Sequence, residues 1–170
     1  MAKTDNFFIR TTLNLGNLNV FQEKSIDCGA FVDALGKSVM RIHSLSVAYT
    51  DETGRSVLVL GNEAAVAVFQ LTTQTQTDIV LPSNKSVIAS GRVNAFNDQA
   101  SVKLPSWTGH DLDVGPDNWE KGYLVGVEQI YLGGAADPGW QTDLHCTVVL
   151  ECSVETLNEK AAMALALSQQ

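Results

Sequence analysis

An all-β fold, a sandwich or barrel, is what this sequence predicts, and two observations carry the prediction. Between Phe7 and Val154 the hydrophobic residues come in short runs rich in Val, Ile, Thr, Phe and Tyr, cut by Gly, Pro, Asn and Asp. No long stretch of helical period interrupts them over that span. With 170 residues and 45% hydrophobic side chains, the chain reads as one folded domain spanning residues 1–170 with a sizeable core.

The elements follow in order. Phe7 to Leu15 reads as a first strand, with Phe7, Ile9, Thr11 and Leu13 on one face, closed by Gly16-Asn17. Val20 to Val32 holds a second, broken near Cys28-Gly29. Ser38 to Tyr49 is a third: Leu45, Val47 and Tyr49 share a face, while Met40 and Ile42 have the opposite parity. A bulge near His43 reconciles the halves. After the turn Asp51–Gly54, Ser56 to Leu60 is a continuous apolar run that suits a strand buried on both faces. Ala64 to Thr73 and Val87 to Phe96 are further strands, separated by a turn at Pro82–Lys85. Thr72 to Thr77 alternates Thr and Gln and reads as a solvated strand end or edge.

Pro105 to Glu120 reads as a long irregular loop, rich in Gly, Asp and Trp. Tyr123 to Leu132 is a strand, Gly133 to Trp140 a second loop, and Leu144 to Val154 the clearest strand of all. There Leu144, Cys146, Val148, Leu150, Cys152 and Val154 face one way. The period then changes. Thr156 and Glu159 form a capping box, and Leu157, Ala161, Ala164 and Leu165 fall on one face of a short helix over 157–167. A helix this short is marginal alone and must pack on its own domain or on a neighbour. The expected architecture is an antiparallel β-sandwich of about eight strands with that C-terminal helix.

Composition narrows the function. Charged residues are 18% of the chain, below the quarter or so common in soluble monomers, so part of the surface suits cover by a partner. The net charge is -8, and the 11 Lys and Arg are not concentrated in any window. Phosphate neutralisation needs clustered cations, so no direct nucleic-acid binding is expected, nor docking to an anionic membrane surface. No run approaches the length of a membrane span, and Met-Ala-Lys-Thr-Asp has no signal-peptide pattern, so cytoplasmic synthesis is the expectation. Cys28, Cys146 and Cys152 are too few for a disulfide framework. Cys146 and Cys152 stand about 20 Å apart along one strand. Cys28 could bond one of them, or all three are buried thiols.

Candidate chemistry is sparse. Asp111, Asp113 and Asp117 lie close together, as calcium ligands do. An EF-hand loop starting at Asp111 needs Gly and Glu where Pro116 and Gly122 stand, so that motif is excluded; the plainer reading is turn-forming aspartates. His43, His110 and His145 are far apart, and no His-x-His pair exists for a cupin-type metal site. His110-Asp111 lies near Ser106, but adjacent His and Asp do not make the relay of a catalytic triad. There is no Gly-x-Ser-x-Gly elbow or phosphate-binding loop. No enzyme activity, no cofactor and no small-molecule ligand is expected. Trp107, Trp119 and Trp140 all fall in the two rich loops. With Leu157, Ala161 and Leu165 of the helix they are the candidate interface residues, aromatic anchors in low-charge segments. The alternatives are that the tryptophans lid the core or stack on a sugar.

The strand series, the long loops late in the chain, and the final alternating strand Leu144–Cys152 followed by a helix resemble the single jelly-roll capsid proteins of icosahedral viruses. So does the segment Gly122-Tyr-Leu-Val-Gly-Val-Glu-Gln-Ile-Tyr-Leu-Gly-Gly134. By size and acidity the chain is most similar to the small major capsid proteins of tailless, membrane-containing viruses of archaea and bacteria. The resemblance covers most of the chain in pattern. It implies a structural virion protein, made in the host cytoplasm, that self-assembles and meets other capsid proteins. Without a basic N-terminal arm, the inner face is expected to meet an internal membrane or an inner protein layer. The alternative reading is a carbohydrate- or protein-binding β-sandwich module.

Overall fold

The computed structural model describes residues 4–33, 37–101 and 107–170, leaving aside the side chains of Trp107, His110 and Asp111. The strands are β1 (Phe7–Gly16), β2 (Gln22–Asp27), β3 (Ser38–Thr50), β4 (Ala64–Thr72), β5 (Val87–Phe96), β6 (Trp107–Val114), β7 (Tyr123–Val125), β8 (Gln129–Ala136) and β9 (Leu144–Thr156). A 3-10 turn, Pro116–Asn118, joins β6 to β7, and one helix, α1 (Glu159–Gln169), ends the chain. One sheet has the order β1-β9-β3-β7 and the other β2-β8-β4-β5-β6, with antiparallel pairing throughout. Successive strands cross between the sheets except from β4 through β6. Without β6, the order is that of an eight-stranded jelly roll.

Period-2 patterning builds the core. Along β9 the residues Leu144, Cys146, Val148, Leu150 and Cys152 are all at most 1% exposed. They pack against Leu13 and Leu15 of β1 and, across the sandwich, Phe69, Leu71, Ile130 and Leu132. Each fully buried aliphatic side chain contributes about 1.5–3 kcal/mol. The parity change in β3 is resolved by a bulge: the β3–β9 register shifts between Ile42 and Ser44. Met40, Ile42 and Leu45 therefore all reach the core, with Val47 and Tyr49 packed against it. His43, the extra residue, contacts Ser153 Oγ through Nε2 at 2.8 Å.

Several expectations are corrected. Ser56 to Leu60 is not a strand; Val57 and Val59 are buried but Leu58 is exposed, and among the described residues the ladder contact is a single Val59–Trp140 bridge. Thr72 and Thr73 are buried, not solvated, because loop groups satisfy their hydroxyls: Thr72 Oγ1 donates to the Gln74 carbonyl at 2.7 Å and Thr73 Oγ1 to that of Gln169 at 3.0 Å. In the expected loop Pro105–Glu120, Pro105 and Ser106 lie outside the described residues. From Trp107 the chain is strand β6, because the free edge of β5 supplies a ladder that outweighs the turn-forming composition. Arg92 fastens it with two bonds to Asp113, at 2.9 and 3.1 Å. The second loop is also shorter than expected, since β8 runs on to Ala136. The expected strand Tyr123–Leu132 is two strands in different sheets, parted at Gly126–Glu128.

The chain thus changes sheets on one side of the sandwich, with β6 pairing β5 and β7 pairing β3. Gly122 makes the final step with φ 63, and a Cβ there would collide with the Ile42 carbonyl. Asp117 Oδ2, in the 3-10 turn, accepts the Leu45 N–H at 3.2 Å, above where β7 ends.

The helix starts two residues later than expected and ends two later. Its N-cap is Asn158, whose side chain accepts the Ala161 N–H at 2.9 Å, and not Thr156, which β9 retains as its last residue. The ladder wins because β3 continues to pair with β9 as far as Ser38–Thr156.

Candidate assembly surfaces

α1 lies across the end of the sandwich where β7 turns into β8. It buries Ala162, Ala166 and Gln169, whereas Met163 and Leu167 are 47% and 66% exposed. Leu157, Ala161 and Leu165 are half-buried against the protein's own fold. Small side chains allow close approach here: a Cβ on Gly126 would sit 3.0 Å from Leu165 Cγ.

Gln169 anchors the helix. Its Nε2 donates to the Leu124 carbonyl at 2.7 Å, and its Oε1 accepts the Gly126 N–H at 2.8 Å. Leu124 and Gly126 lie on the side of β7 away from β3, so the side-chain amide takes the place of a neighbouring strand along an otherwise open edge. The Tyr123 hydroxyl lies 3.4 Å from the same Nε2, and burial pushes its pKa up despite that contact.

Beside α1 and β7 runs a groove of about 680 Å³. Trp119, Tyr123 and Leu165 line its apolar part, and Arg41, Lys85 and Lys121 bring three cations. No carboxylate is among the described residues lining it. Arg41 is held by Glu155 through two bonds of 2.6 and 2.8 Å and also donates to the Lys121 carbonyl. The hydrogen bonds to Glu155 raise the guanidinium pKa further, against a smaller opposing effect of burial. Lys85 Nζ reaches the Gln170 backbone oxygen at 3.4 Å.

The three tryptophans have different environments. Trp140 is 4% exposed and donates its indole N–H to the Val66 carbonyl at 3.1 Å, as a lid on the core. Trp119 is 43% exposed and packs at 6.1 Å against the Tyr123 ring. Trp107 begins β6 opposite Phe96; its side chain lies outside the described residues.

Asp113 and Asp117 are held by different partners, Arg92 and Leu45, while the Asp111 side chain is outside the description. No group of His, Cys, Asp or Glu suited to a metal is found among the described residues. All three cysteines are free and buried, and burial pushes each thiol up to about 12. Such thiols are poor nucleophiles. No helix among the described residues is long and apolar enough to cross a membrane.

A second feature escaped the sequence reading. The β4–β5 connection folds over the outer face of the five-stranded sheet, held by Gln70, which is 1% exposed. Gln70 Nε2 donates to the Asp78 carbonyl at 3.2 Å and its Oε1 accepts the Val80 N–H at 2.9 Å. The segment so held turns Ile79 and Leu81 outward, 36% and 75% exposed. An isolated Gln in an apolar strand was the available signal, since such a residue must find partners when buried.

No family model and no curated protein matches the chain. Solved structures with a similar outline are viral jelly-roll capsid proteins. Merkel cell polyomavirus VP1 in complex with disialyllactose aligns at 8% identity and TM-score 0.49, over 89% of this chain and 96% of that one. VP1 of the trichodysplasia spinulosa-associated polyomavirus gives 10% and 0.45, over 88% and 95%. Desmodium yellow mottle tymovirus gives 10% and 0.35, over 89% and 81%. At these identities and scores the likeness carries nothing about function, and the jelly-roll assignment rests on this chain's own strand order.

Proposed function

We propose that the protein is a structural subunit that self-assembles, most simply as a virion shell protein. The carrying observation is the surface. Twelve large hydrophobic residues are at least 36% exposed among those described, with Leu18, Leu81 and Leu167 at 66–75%. Single exposed apolar residues are ordinary. Here they accompany an 18% charge content, below the quarter or so common in soluble monomers. The fold itself serves lectins and cupins as well as shells. The described residues offer a cupin no metal-ligand group. A sugar-binding module would need stacking aromatics, and burial of Trp140 removes one of the three candidates.

Work in this reading is done by surface burial, with no chemical step and no cofactor. The partners are copies of the chain and other shell proteins. A net charge of -8 disfavours nucleic acid as the inner neighbour, which leaves a protein layer, or a membrane met through apolar and not electrostatic contact. Size-exclusion chromatography with light scattering, followed by electron microscopy, tests it. Closed oligomers or shells are expected. A monomer at every concentration and salt condition, with tryptophan fluorescence that responds to glycans, refutes the assembly reading and favours the binding module.

A further inference from the structure

We infer that the groove between β7 and α1 is the docking site for the Asp78–Pro82 segment of a second copy. This rests on the assembly reading above and names the two surfaces that meet.

The groove calls for an acidic, apolar, extended ligand. It combines the Trp119 and Tyr123 rings and Leu165 with Arg41, Lys85 and Lys121, and no described carboxylate lines it. Glu155 neutralises Arg41 and the Gln170 backbone oxygen engages Lys85 Nζ at 3.4 Å, so Lys121 supplies most of the charge that attracts a ligand, with Lys85 beside it. Such a site is unusual in a chain of net charge -8.

The Asp78–Pro82 segment has the matching chemistry. From Thr72 to Asn84 its only charged residue is Asp78. Leu81, at 75%, is the most exposed large hydrophobic among the described residues, and Ile79 projects two residues before it. The Gln70 amide grips the backbone on both sides of Ile79, at the Asp78 carbonyl and the Val80 N–H. The segment is therefore held extended before any partner arrives, which lowers the ordering cost of docking. Lys85 of the groove closes the same β4–β5 connection that carries the segment, so groove and segment adjoin on the surface. A second copy can offer its segment reciprocally about a two-fold axis or head to tail.

The test uses two single-cysteine variants, Leu81→Cys and Lys121→Cys, mixed in equal amounts under mild oxidation. The native thiols are buried and do not compete. A disulfide-linked species of twice the chain mass is expected in the mixture. A Met163→Cys variant mixed with Lys121→Cys is the control, and no such species is expected from it. In parallel, Leu81→Asp and Lys121→Glu are each expected to weaken assembly at least tenfold by light scattering. Asp78→Lys is expected to restore the Lys121→Glu variant.

Assembly of Leu81→Asp like the unaltered protein, with no cross-link, overturns this pairing and leaves self-assembly standing. Lost assembly without the cross-link places Leu81 in some other contact and also overturns it. Cross-linking by the Met163→Cys control in preference to Leu81→Cys gives the groove to the helix instead. An unaltered protein that stays monomeric overturns both readings.

Discussion

Replacing Gln169 tests whether a side-chain amide holds the end of the sandwich together. Gln169→Ala removes the donor to the Leu124 carbonyl and the acceptor of the Gly126 N–H. Each bond contributes about 1 kcal/mol net, and an orphaned buried N–H adds a further cost of about 1–3 kcal/mol. Gly126 is buried, so the sum is about 3–5 kcal/mol. For a chain of this size that lowers Tm by roughly 6–20 °C. Proteolysis should cut the variant first within α1, because an eleven-residue helix does not persist undocked.

Two further variants separate hydrogen bonding from packing. Gln169→Met keeps volume and loses both bonds, so it should fall close to Gln169→Ala. Gln169→Glu keeps the acceptor but sets a carboxylate against the Leu124 carbonyl. Only the protonated acid can donate there, so its folded pKa is raised above the unfolded value. Its stabilising contribution is therefore present at low pH and lost as pH rises through that folded pKa. Scanning calorimetry from pH 4 to pH 8 should show Gln169→Glu losing stability relative to the Met variant as pH rises. Melting of all three variants within about 1 °C of the unaltered protein would sink the argument, given the 2–4 °C expected per kcal/mol.

Other substitutions read different parts of the fold. Trp140→Ala should cost about 3–5 kcal/mol of stability in urea titration, as loss of a buried indole does. Trp119→Ala, at an exposed ring, should leave stability within about 1 kcal/mol and weaken assembly instead. Arg41→Met removes the guanidinium that holds buried Glu155 through two bonds and should cost on the order of 3 kcal/mol. The double change Arg41→Met with Glu155→Leu should recover most of that, because it removes the buried charge as well. The three thiols stay neutral in the folded protein to about pH 12 but ionise near their ordinary value of 9 once unfolded. Stability from this source is whole below pH 9 and falls as pH rises from there, which chemical denaturation along an alkaline series will show.

The strands were legible where one face meets the core and the other meets water. β1, β3 and β9 follow their hydrophobic alternation, and even the His43 bulge could be read, because a parity change within one strand leaves no other way to keep both halves buried. Legibility failed where pairing and not patterning decides. Val57 and Val59 are buried by the loops around them without a ladder, so their apolar run imitated a strand. Trp107–Val114 is a strand only because β5 offers it an edge. Within Gly122–Gly134 the break between β7 and β8 has no strong local signal: the apolar residues continue while the chain leaves one sheet for the other. Of the six candidate interface residues, Trp119 lines the groove and Leu165 forms part of its wall. Trp140 belongs to the core, and no residue of the Asp78–Pro82 segment was among the candidates.

The helix shows why hydropathy alone misplaced that surface. From Ala161 to Leu167 every residue is apolar, so a period of 3.6 selects no face. Docking selects the alanines for closeness and leaves Met163 and Leu167 outside, while polar Gln169 goes in. Gln70 makes the same choice on the opposite sheet. Each glutamine donates to the carbonyl of one residue and accepts the N–H of the residue two further on, Asp78 and Val80 in one case, Leu124 and Gly126 in the other. That pair of groups is what one edge of an extended strand offers its neighbour. A buried glutamine can therefore stand in for a missing strand, fixing an extended segment without adding a residue to the ladder. At β7 this keeps an edge from pairing indiscriminately, and at Asp78–Val80 it holds a segment ready with its largest apolar side chain outward. If both amides serve the same end, Gln70→Ala should loosen the β4–β5 connection and weaken assembly more than it lowers Tm. Gln169→Ala should lower Tm and, because α1 walls the groove, weaken assembly as well.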